Sequence, residues 1–178
     1  MKKLKEMILH IAKTCENDPE FGATKLNKIL FISDFFAYSV FEKSITGTDY
    51  FHLPKGPAPK LLKKAQEELI LEDRANIEER PYFGRKQKRL VPKEDADISI
   101  FYEDELNLVK QVIKLLEGKN ATQISDWSHD FLPWLLTEDR EEIPYITTFT
   151  MFHVPTSKQG ISWGENKLNE LMESGHAS

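Results

Sequence analysis

The stretch TKLNKILFISDFFAYSVF, residues 24–41, is apolar on nearly every side of the helix that its spacing predicts. Leu26 and Leu30 share one face of that helix, while Phe31 and Phe35 occupy a second face. A helix without a broad polar face is normally buried against several neighbours. The sequence therefore predicts a central helix around which the other elements pack.

The start of this central helix and several flanking helices can also be predicted. Thr24 is the expected N-cap, because a hydroxyl accepts a hydrogen bond from a first-turn N–H group. Amphipathic patterns predict further helices at about 4–15, 58–71, 105–116, 120–132 and 164–172. Pro57 and Pro59 suit the first turn of the helix at 58–71. Pro133 is expected to end the helix that Asn120 opens.

Two shorter stretches favour extended structure. Residues 74–91 predict a β-hairpin that turns near Phe83-Gly84, with acidic residues on the first strand and basic residues on the second. Residues 48–53 form a candidate short strand, whereas residues 146–154 fit either a strand or a packed loop. We therefore expect a mainly α fold: a compact helical domain around the central hydrophobic helix, with a small β-hairpin.

Length and composition favour one domain with an acidic surface. The 178 residues suit a single domain over 1–178, with a core at about 4–150 and a C-terminal extension whose short helix lies within about 161–173. Lys and Arg number 24 against 29 for Asp and Glu, so the net charge is −5. A globally basic surface for nucleic acid is thereby excluded, and any such contact must be local.

The expected compartment follows from one cysteine and from the apolar runs. Cys15 is the only cysteine, which excludes an intrachain disulfide and fits a reducing compartment. The N-terminal stretch is charged and amphipathic and lacks the apolar core of a secretion signal. The longest apolar run, residues 29–41, contains Asp34 and is shorter than the roughly 20 residues that cross a bilayer. We expect a cytoplasmic protein without membrane contact.

The polar residues do not form a recognisable catalytic, metal or cofactor site. The five histidines are at positions 10, 52, 129, 153 and 176. None has metal-ligand spacing to another ligand residue, and no Gly-rich phosphate loop is present. Ser128, His129 and Asp130 contain the residue types of a catalytic triad, but adjacent helical residues point in different directions. We therefore expect a non-enzymatic protein that has no cofactor and no metal.

Two polar residues interrupt apolar helices. Asp34 is expected at an exposed edge of the central helix or paired with a cation such as Lys28 or His129, because a buried carboxylate is seldom unpaired. For His129 we expect a half-buried imidazole that is hydrogen-bonded to the backbone or to an acid. We favour these structural roles over a role in binding.

The order helix, helix, hairpin between Lys25 and Val91 leaves a winged-helix-like DNA-binding regulator open as an alternative. The basic residues available for phosphate contacts would be Lys55, Lys60, Lys63, Lys64, Arg85, Lys86, Lys88 and Arg89. Acidic residues at 67–68, 72–73 and 78–79 interleave with them. We favour mutual neutralisation of these charges, so nucleic acid is the alternative partner.

Several short motifs are similar, in their order, to those of one protein family. They are Lys25–Phe31 followed by Asp34, Ile45–Gly47, Tyr50, Lys55–Pro59, Trp127–His129, Trp134 and Ile143–Tyr145. Together they resemble the Panacea domain, also called the SocA-like antitoxin domain. The resemblance covers about residues 4–150.

This resemblance implies a small, mainly helical antitoxin that neutralises a toxin protein by direct contact. Some members of the family deliver the toxin to an ATP-dependent protease, and others inhibit it by binding alone. Two patches are candidates for the toxin contact. One contains Arg85, Lys86, Lys88 and Arg89, and the other contains Lys55, Gly56, Pro57, His129 and Trp134. The hairpin and the C-terminal helix are further candidates for a partner-specific surface.

Overall fold

The computed structural model describes residues 1–82 and 84–150. The C-terminal helix predicted at 164–172 lies outside these residues, as do Phe83 and the end of the stretch at 146–154. Within the described residues, none of the helices has the length and apolar character needed to cross a membrane.

Helices dominate the described residues, which confirms the predicted fold class. The α-helices are α1 (Lys2–Thr14), α2 (Ala23–Phe41), α3 (Leu62–Leu71), α4 (Glu103–Leu115), α5 (Ala121–His129) and α6 (Leu132–Leu135). The strands are β1 (Tyr50–Phe51), β2 (Ala58–Pro59), β3 (Ala75–Tyr82) and β4 (Arg85–Pro92). Short 3₁₀ helices lie at Ile98–Ile100 and Tyr145–Thr150. The strands form two small antiparallel sheets, β1 with β2 and β3 with β4.

The long helix α2 is the centre of the fold, as predicted. Leu26, Leu30, Phe31 and Phe35 are fully buried. They are covered because α2 contacts α1, α4, α5, β2 and the 3₁₀ helix that ends at Thr150. A helix that is apolar all round is stable here because neighbours cover it on several sides.

The predicted N-cap of α2 at Thr24 is wrong. The helix begins one residue earlier, at Ala23, and the preceding Gly22 is extended and provides no side-chain cap. The Cγ atom of Gln87 in β4 lies 2.8 Å from where a Cβ atom at position 22 would be. The hairpin therefore packs against the backbone at the start of α2, and this tertiary contact leaves no room for a capping side chain.

The predicted charged hairpin is confirmed. β3 and β4 pair antiparallel, with Glu78 opposite Arg89 and Glu79 opposite Lys88. The hairpin packs against α1 through β4 and against α3 through β3. The ion pair that joins the two strands is Lys86 with Glu79, at 3.0 Å, and such a pair contributes only about 0.2–1 kcal/mol.

The helix predicted at 58–71 begins later than expected, at Leu62. Ala58 and Pro59 instead form β2, which pairs with β1 and confirms the short strand predicted before it. A proline is tolerated in a two-stranded edge because a missing N–H group can face away from the partner strand. The prediction of Pro57 and Pro59 in a first helical turn is therefore wrong.

The boundary between α5 and α6 also differs from the prediction. α5 opens as expected with a capping box, in which Asn120 and Gln123 exchange side-chain-to-backbone hydrogen bonds of 2.9 and 3.0 Å. It ends at His129, and Pro133 lies inside α6. A proline fits there because first-turn N–H groups have no partner within their own helix.

Candidate functional site

A buried lysine fixes the turn between β1 and β2 to the central helix. Lys28 lies on α2 and is 1% exposed. Its Nζ atom donates to the carbonyl oxygens of Lys55 and Pro57, both at 2.9 Å. Burial lowers the pKa of Lys28 to about 7. A neutral amine has two N–H groups, so it can satisfy both carbonyls without placing a charge in the core.

The centre of this turn requires glycine. Gly56 has a φ of +87°, in the left-handed region that other residues rarely adopt. A Cβ atom there would lie 2.4 Å from Lys28 Nζ and 2.5 Å from Ser128 Oγ. The Ser125 hydroxyl of α5 donates to the carbonyl oxygen of Lys55 at 3.1 Å. The turn is therefore held closely between α2 and α5.

Trp134 stacks with two histidine rings beside the turn. Its indole stacks on His52 at 4.1 Å and on His129 at 4.2 Å between ring centroids, with an interplanar angle of 21° in both cases. Its Nε1–H group donates to the carbonyl oxygen of Leu53 at 3.3 Å. These contacts join α6 to the end of β1 and to α5. Planar rings held in this way form a rigid aromatic surface.

His129 is half-buried, as predicted, but stacking positions it. Its Nε2 atom is buried and has no hydrogen-bond partner in the part of the chain that the structure describes. The predicted hydrogen bond to backbone or acid is therefore wrong for this nitrogen. Burial, and then Lys28 when its amine is protonated, lower the pKa of His129, which favours the neutral imidazole.

Exposed leucines adjoin this aromatic group in the chain. Leu135 and Leu136 follow Trp134 directly and are largely exposed, and Leu53 is also exposed. We call the surface formed by these residues the turn patch: His52, Leu53, Lys55, Gly56, Pro57, His129, Trp134, Leu135 and Leu136. Lys55 is exposed at its rim, whereas Gly56 and Pro57 are buried and support it. Aromatic and aliphatic groups with a polar rim are typical of protein-binding surfaces.

Asp34 has a structural role, and its predicted pairing with a cation is wrong. The carboxylate is fully buried on α2. It accepts hydrogen bonds from the backbone N–H groups of Ile45 and Thr46, at 2.9 and 2.8 Å, and from the Thr46 hydroxyl. The Tyr50 hydroxyl also donates to it, at 2.8 Å. Burial raises the pKa of Asp34, while these donors oppose that rise. They replace the cation and fix the segment that leads into β1.

The basic residues of the hairpin are divided between surface and core. Lys86 and Lys88 are exposed, and Lys86 pairs with Glu79 at 3.0 Å. Arg89 is 3% exposed, and its guanidinium donates to the carbonyl oxygens of Cys15, Glu16 and Asp18 in the loop after α1. Arg89 therefore fastens the hairpin to the protein and is not at a partner-facing rim.

Two other lysines proposed for phosphate contacts also have nearby carboxylates. Lys60 lies 3.9 Å from Asp49, and Lys63 lies 3.7 Å from Glu67. Such pairs reduce the net positive charge that a phosphate backbone would meet. These contacts favour neutralised surface charge over a phosphate-binding stripe.

The geometry around Ser128 does not resemble a catalytic triad. Ser128 is fully buried, and its hydroxyl donates to the carbonyl oxygen of Ser125 at 2.8 Å. The His129 ring beside it stacks on Trp134. Among residues 1–82 and 84–150, there is also no group of three or more His, Cys, Asp or Glu residues that could hold a metal ion.

The structure thus brings one of the two predicted patches together. Lys55, Gly56, Pro57, His129 and Trp134 meet in the turn patch, although up to 79 positions separate them in the chain. Arg85 begins β4 in the hairpin, where Lys86 and Lys88 are exposed and Arg89 is buried.

The sequence analysis did not identify three parts of this site: two belong to the turn patch, and the third supports it from below. They are His52, Lys28 and the exposed leucines at 53, 135 and 136. A lysine inside a helix that is otherwise apolar signals a buried donor that needs acceptors. The nearby turn 55–59, rich in prolines, contains carbonyls without matching N–H groups, and this signal could have linked the two.

Comparison with known proteins identifies one family. Residues 26–135 match the family described as "Antitoxin SocA-like, Panacea domain". The match extends from α2 to α6 and includes every residue of the turn patch except Leu136. No curated protein and no solved structure is significantly similar to the chain.

Proposed function

We propose that this protein is an antitoxin that binds and neutralises a partner toxin protein, because the chain belongs to the SocA-like antitoxin family with a Panacea domain. The observation that carries this proposal is the family match over residues 26–135. The proposed activity is binding alone, without catalysis, cofactor or metal, in the cytoplasm.

We infer that the turn patch is the surface that contacts the toxin. Its aromatic centre is held in place before any partner arrives, because Trp134 stacks with His52 and His129 and is hydrogen-bonded to Leu53. A preorganised aromatic group loses little conformational freedom on binding. The exposed leucines at 135 and 136 add apolar area that a partner can bury.

Two modes of neutralisation are compatible with such a surface. Binding can cover the active surface of the toxin or hold the toxin in an inactive conformation. Alternatively, the antitoxin can act as an adaptor that presents the bound toxin to an ATP-dependent protease. We favour direct inhibition as the primary mode, since it requires only the surface described above.

The test is co-expression with the product of the neighbouring gene, the candidate toxin. Expressed alone, that product should stop growth, and co-expression should restore growth and yield a stable complex. Leu136→Glu should weaken the complex by about tenfold or more, because it places a charge among apolar contacts at the centre of an interface. Leu71→Glu is the matched control, since Leu71 is similarly exposed, on α3.

The outcomes of this test show separately whether the protein is an antitoxin and whether the turn patch is its contact surface. If the neighbouring product is not toxic, or no complex forms, the antitoxin proposal is overturned. If a complex forms and both variants bind equally well, the function stands and the turn patch is not the contact. Rescue that disappears when the ATP-dependent proteases of the host are deleted would establish the adaptor mode.

The DNA-binding alternative rests on the exposed Lys86 and Lys88 of the hairpin. It predicts that affinity for duplex DNA falls with salt, with a log–log slope of about −0.9 for each phosphate neutralised. A titration of the purified protein with duplex DNA at two salt concentrations measures this slope. Binding that is absent or insensitive to salt would eliminate this alternative.

A further inference from the structure

A segment rich in acidic residues borders the turn patch. Residues 138–142, with the sequence EDREE, follow its exposed leucines closely in the chain. Backbone hydrogen bonds join this segment to His52 of the turn patch. The N–H group of His52 donates to the carbonyl oxygen of Glu141 at 2.9 Å, and the N–H group of Arg140 donates to the carbonyl oxygen of His52 at 2.8 Å. The acidic segment is therefore fixed directly beside the turn patch.

Further contacts hold the conformation of this segment. Arg140 has a φ of +66°, in the left-handed region that residues other than glycine rarely adopt. The N–H group of Glu138 donates to the side chain of Glu141 at 2.7 Å, and Glu142 forms an antiparallel bridge with Phe51 of β1. A left-handed residue other than glycine persists only where the surrounding structure fixes it. The exposed carboxylates of this segment therefore belong to a fixed loop.

Two more exposed acidic residues lie near His129 of the turn patch. Asp126 precedes His129 by three positions on α5, and Asp130 follows it directly. Burial is the largest influence on the pKa of His129 and lowers it, whereas the charges of both carboxylates act to raise it. We call the exposed acidic residues beside the turn patch the acidic rim: Asp126, Asp130, Glu138, Asp139, Glu141 and Glu142.

Most of the acidic rim lacks a basic partner within the protein. Asp139 lies 3.8 Å from Arg140. Among the residues that the structure describes, the other five carboxylates form no ion pair with a lysine or an arginine. On the hairpin, by contrast, Glu79 pairs with Lys86 at 3.0 Å. Clustered charge of one sign that is not neutralised locally produces a strong potential at the surface. The acidic rim therefore gives the surroundings of the turn patch a negative potential.

The apolar residues of the turn patch and the charges of the acidic rim are independent observations that indicate the same kind of partner. Trp134, Leu135 and Leu136 provide apolar area for the centre of a contact. The acidic rim favours opposite charge around that centre, because complementary potentials select the partner and its orientation. Nucleic acid does not fit this surface, since its phosphates would meet carboxylates.

We propose that the toxin surface bound by the turn patch is basic, with lysine and arginine side chains that pair with the acidic rim around an apolar contact. This inference rests on the proposed function and adds the chemistry of the partner to it. Complementary charge mainly accelerates association, whereas buried apolar contacts mainly slow dissociation. Loss of the acidic rim should therefore slow the association of the two proteins.

Neutralisation of the acidic rim tests this inference. The rim variant combines Glu138→Gln, Asp139→Asn and Glu142→Gln, which removes three charges and keeps the size of each side chain. Glu141 is retained because its side chain accepts the hydrogen bond that shapes the loop.

A matched control removes the same number of charges elsewhere. The control variant combines Glu42→Gln, Asp95→Asn and Glu117→Gln. These three residues are exposed and lie outside the turn patch and the acidic rim. The two variants therefore have the same net charge and the same types of substitution, and they differ only in where the charge is lost.

The measurement is the association rate of each protein with the purified product of the neighbouring gene, at about 0.05 M and about 0.5 M salt. The rate for the parent protein should fall by about tenfold or more between these salt concentrations. At the lower concentration, the rim variant should associate about fivefold or more slowly than the parent, with a weaker dependence on salt. The control variant should stay within about twofold of the parent.

The outcomes distinguish this inference from the proposed function. If the parent forms no complex at either salt concentration, the toxin-binding proposal is overturned and this inference falls with it. If a complex forms at a rate that does not change with salt, or that rises with salt, this inference alone is overturned. Equal slowing in the rim and control variants also overturns it, because the net charge would then act without a contact at the acidic rim.

A second measurement uses the parent protein and does not depend on variants that fold. A carbodiimide couples a carboxylate to a lysine amine that is in contact with it, which forms an amide bond and releases the corresponding urea. Peptide mass spectrometry of the treated complex should find links from residues 126–142 to lysines of the toxin. Links confined to other acidic residues of this chain, or links from its own lysines to acidic residues of the toxin, would contradict the inference.

Discussion

The turn patch and the hairpin differ in how their side chains are held. In the turn patch, Trp134 stacks with two histidine rings, and the adjoining turn is hydrogen-bonded to Lys28. On the hairpin, Lys86 reaches Glu79 across solvent-exposed strands. Rigid aromatic groups are effective binding anchors, whereas exposed ion pairs contribute little. This difference supports the proposal that the turn patch contacts the partner and that the hairpin has a mainly structural role.

The two regions are attached to the core in the same way. Each is fastened to the core by a buried basic side chain that donates to backbone carbonyls, Lys28 beneath the turn patch and Arg89 beneath the hairpin. The turn additionally depends on a glycine without space for a side chain, whereas the hairpin glycine, Gly84, has nothing within 4 Å of an added Cβ atom. The two regions should therefore respond differently to matched substitutions.

The largest difference is expected from alanine in place of glycine. Gly56→Ala should lower the free energy of unfolding by about 3–5 kcal/mol, because the methyl group meets Lys28 and Ser128 in a left-handed backbone conformation. Gly84→Ala meets only the conformational penalty, about 1–2 kcal/mol. Urea unfolding of both variants measures the difference. Equal losses would mean that the turn relaxes away from α2 and that its close packing is unimportant.

The next prediction compares the stability lost when each of the two buried basic side chains is replaced. Arg89→Met should lower the free energy of unfolding by about 2–4 kcal/mol, because it leaves buried carbonyl oxygens without donors. Lys28→Met should have a smaller effect, since it frees two carbonyls where Arg89→Met frees three. Urea unfolding at pH 8 compares them. A larger loss of unfolding free energy from Lys28→Met than from Arg89→Met would show that the turn depends more on the Lys28 amine than the hairpin depends on the Arg89 guanidinium.

A third prediction concerns the pH dependence that Lys28 adds to stability. Burial lowers its pKa to about 7 in the folded protein, from an ordinary value of 10.5. Between these values the unfolded chain binds a proton that the folded protein does not, so stability rises with pH. The rise due to Lys28 should be about 1 kcal/mol between pH 7 and pH 8.

Lys28→Met is the control for this effect, because other titrating groups are common to both proteins. The difference in free energy of unfolding between parent and variant is measured by urea titration at several pH values. A difference that stays constant from pH 7 to pH 9 would mean that Lys28 keeps its proton in the folded state.

Local pattern was sufficient for the main elements of the fold. The apolar stretch of α2, the charges segregated by strand in the hairpin and the capping box at Asn120 each specify an element through neighbouring residues. The predictions that failed depend on distant contacts. α2 begins one residue before Thr24, at a glycine against which Gln87 packs, and Asp34 needs no cation because Thr46 and Tyr50 donate to it.

The candidate site was predictable in part for the same reason. Family resemblance singled out the turn at 55–57 with His129 and Trp134, and the structure brings them together. It did not indicate His52 as the second ring against Trp134, because stacking between residues 82 positions apart leaves no local pattern. Arg89 was predicted to be at the surface, although it is buried. An arginine within a run of basic residues gives the same local pattern whether its guanidinium is exposed or buried.

The smallest effect tests the assignment of the hairpin. A double-mutant cycle of Lys86→Ala and Glu79→Ala should give a coupling energy of only about 0.2–1 kcal/mol, since both side chains are substantially exposed. The coupling should weaken further in about 1 M salt, where charges more than roughly 3 Å apart are screened.

The same variants sharpen the comparison when they are assayed for toxin binding. If the hairpin is structural, Lys86→Ala changes affinity by less than about threefold, whereas Leu136→Glu in the turn patch changes it by about tenfold or more. A large loss of affinity from Lys86→Ala, with the coupling to Glu79 still small, would reverse the assignment. The exposed lysine would then be contacting the partner directly, because an ion pair so weakly coupled within the protein cannot transmit such a loss through the fold.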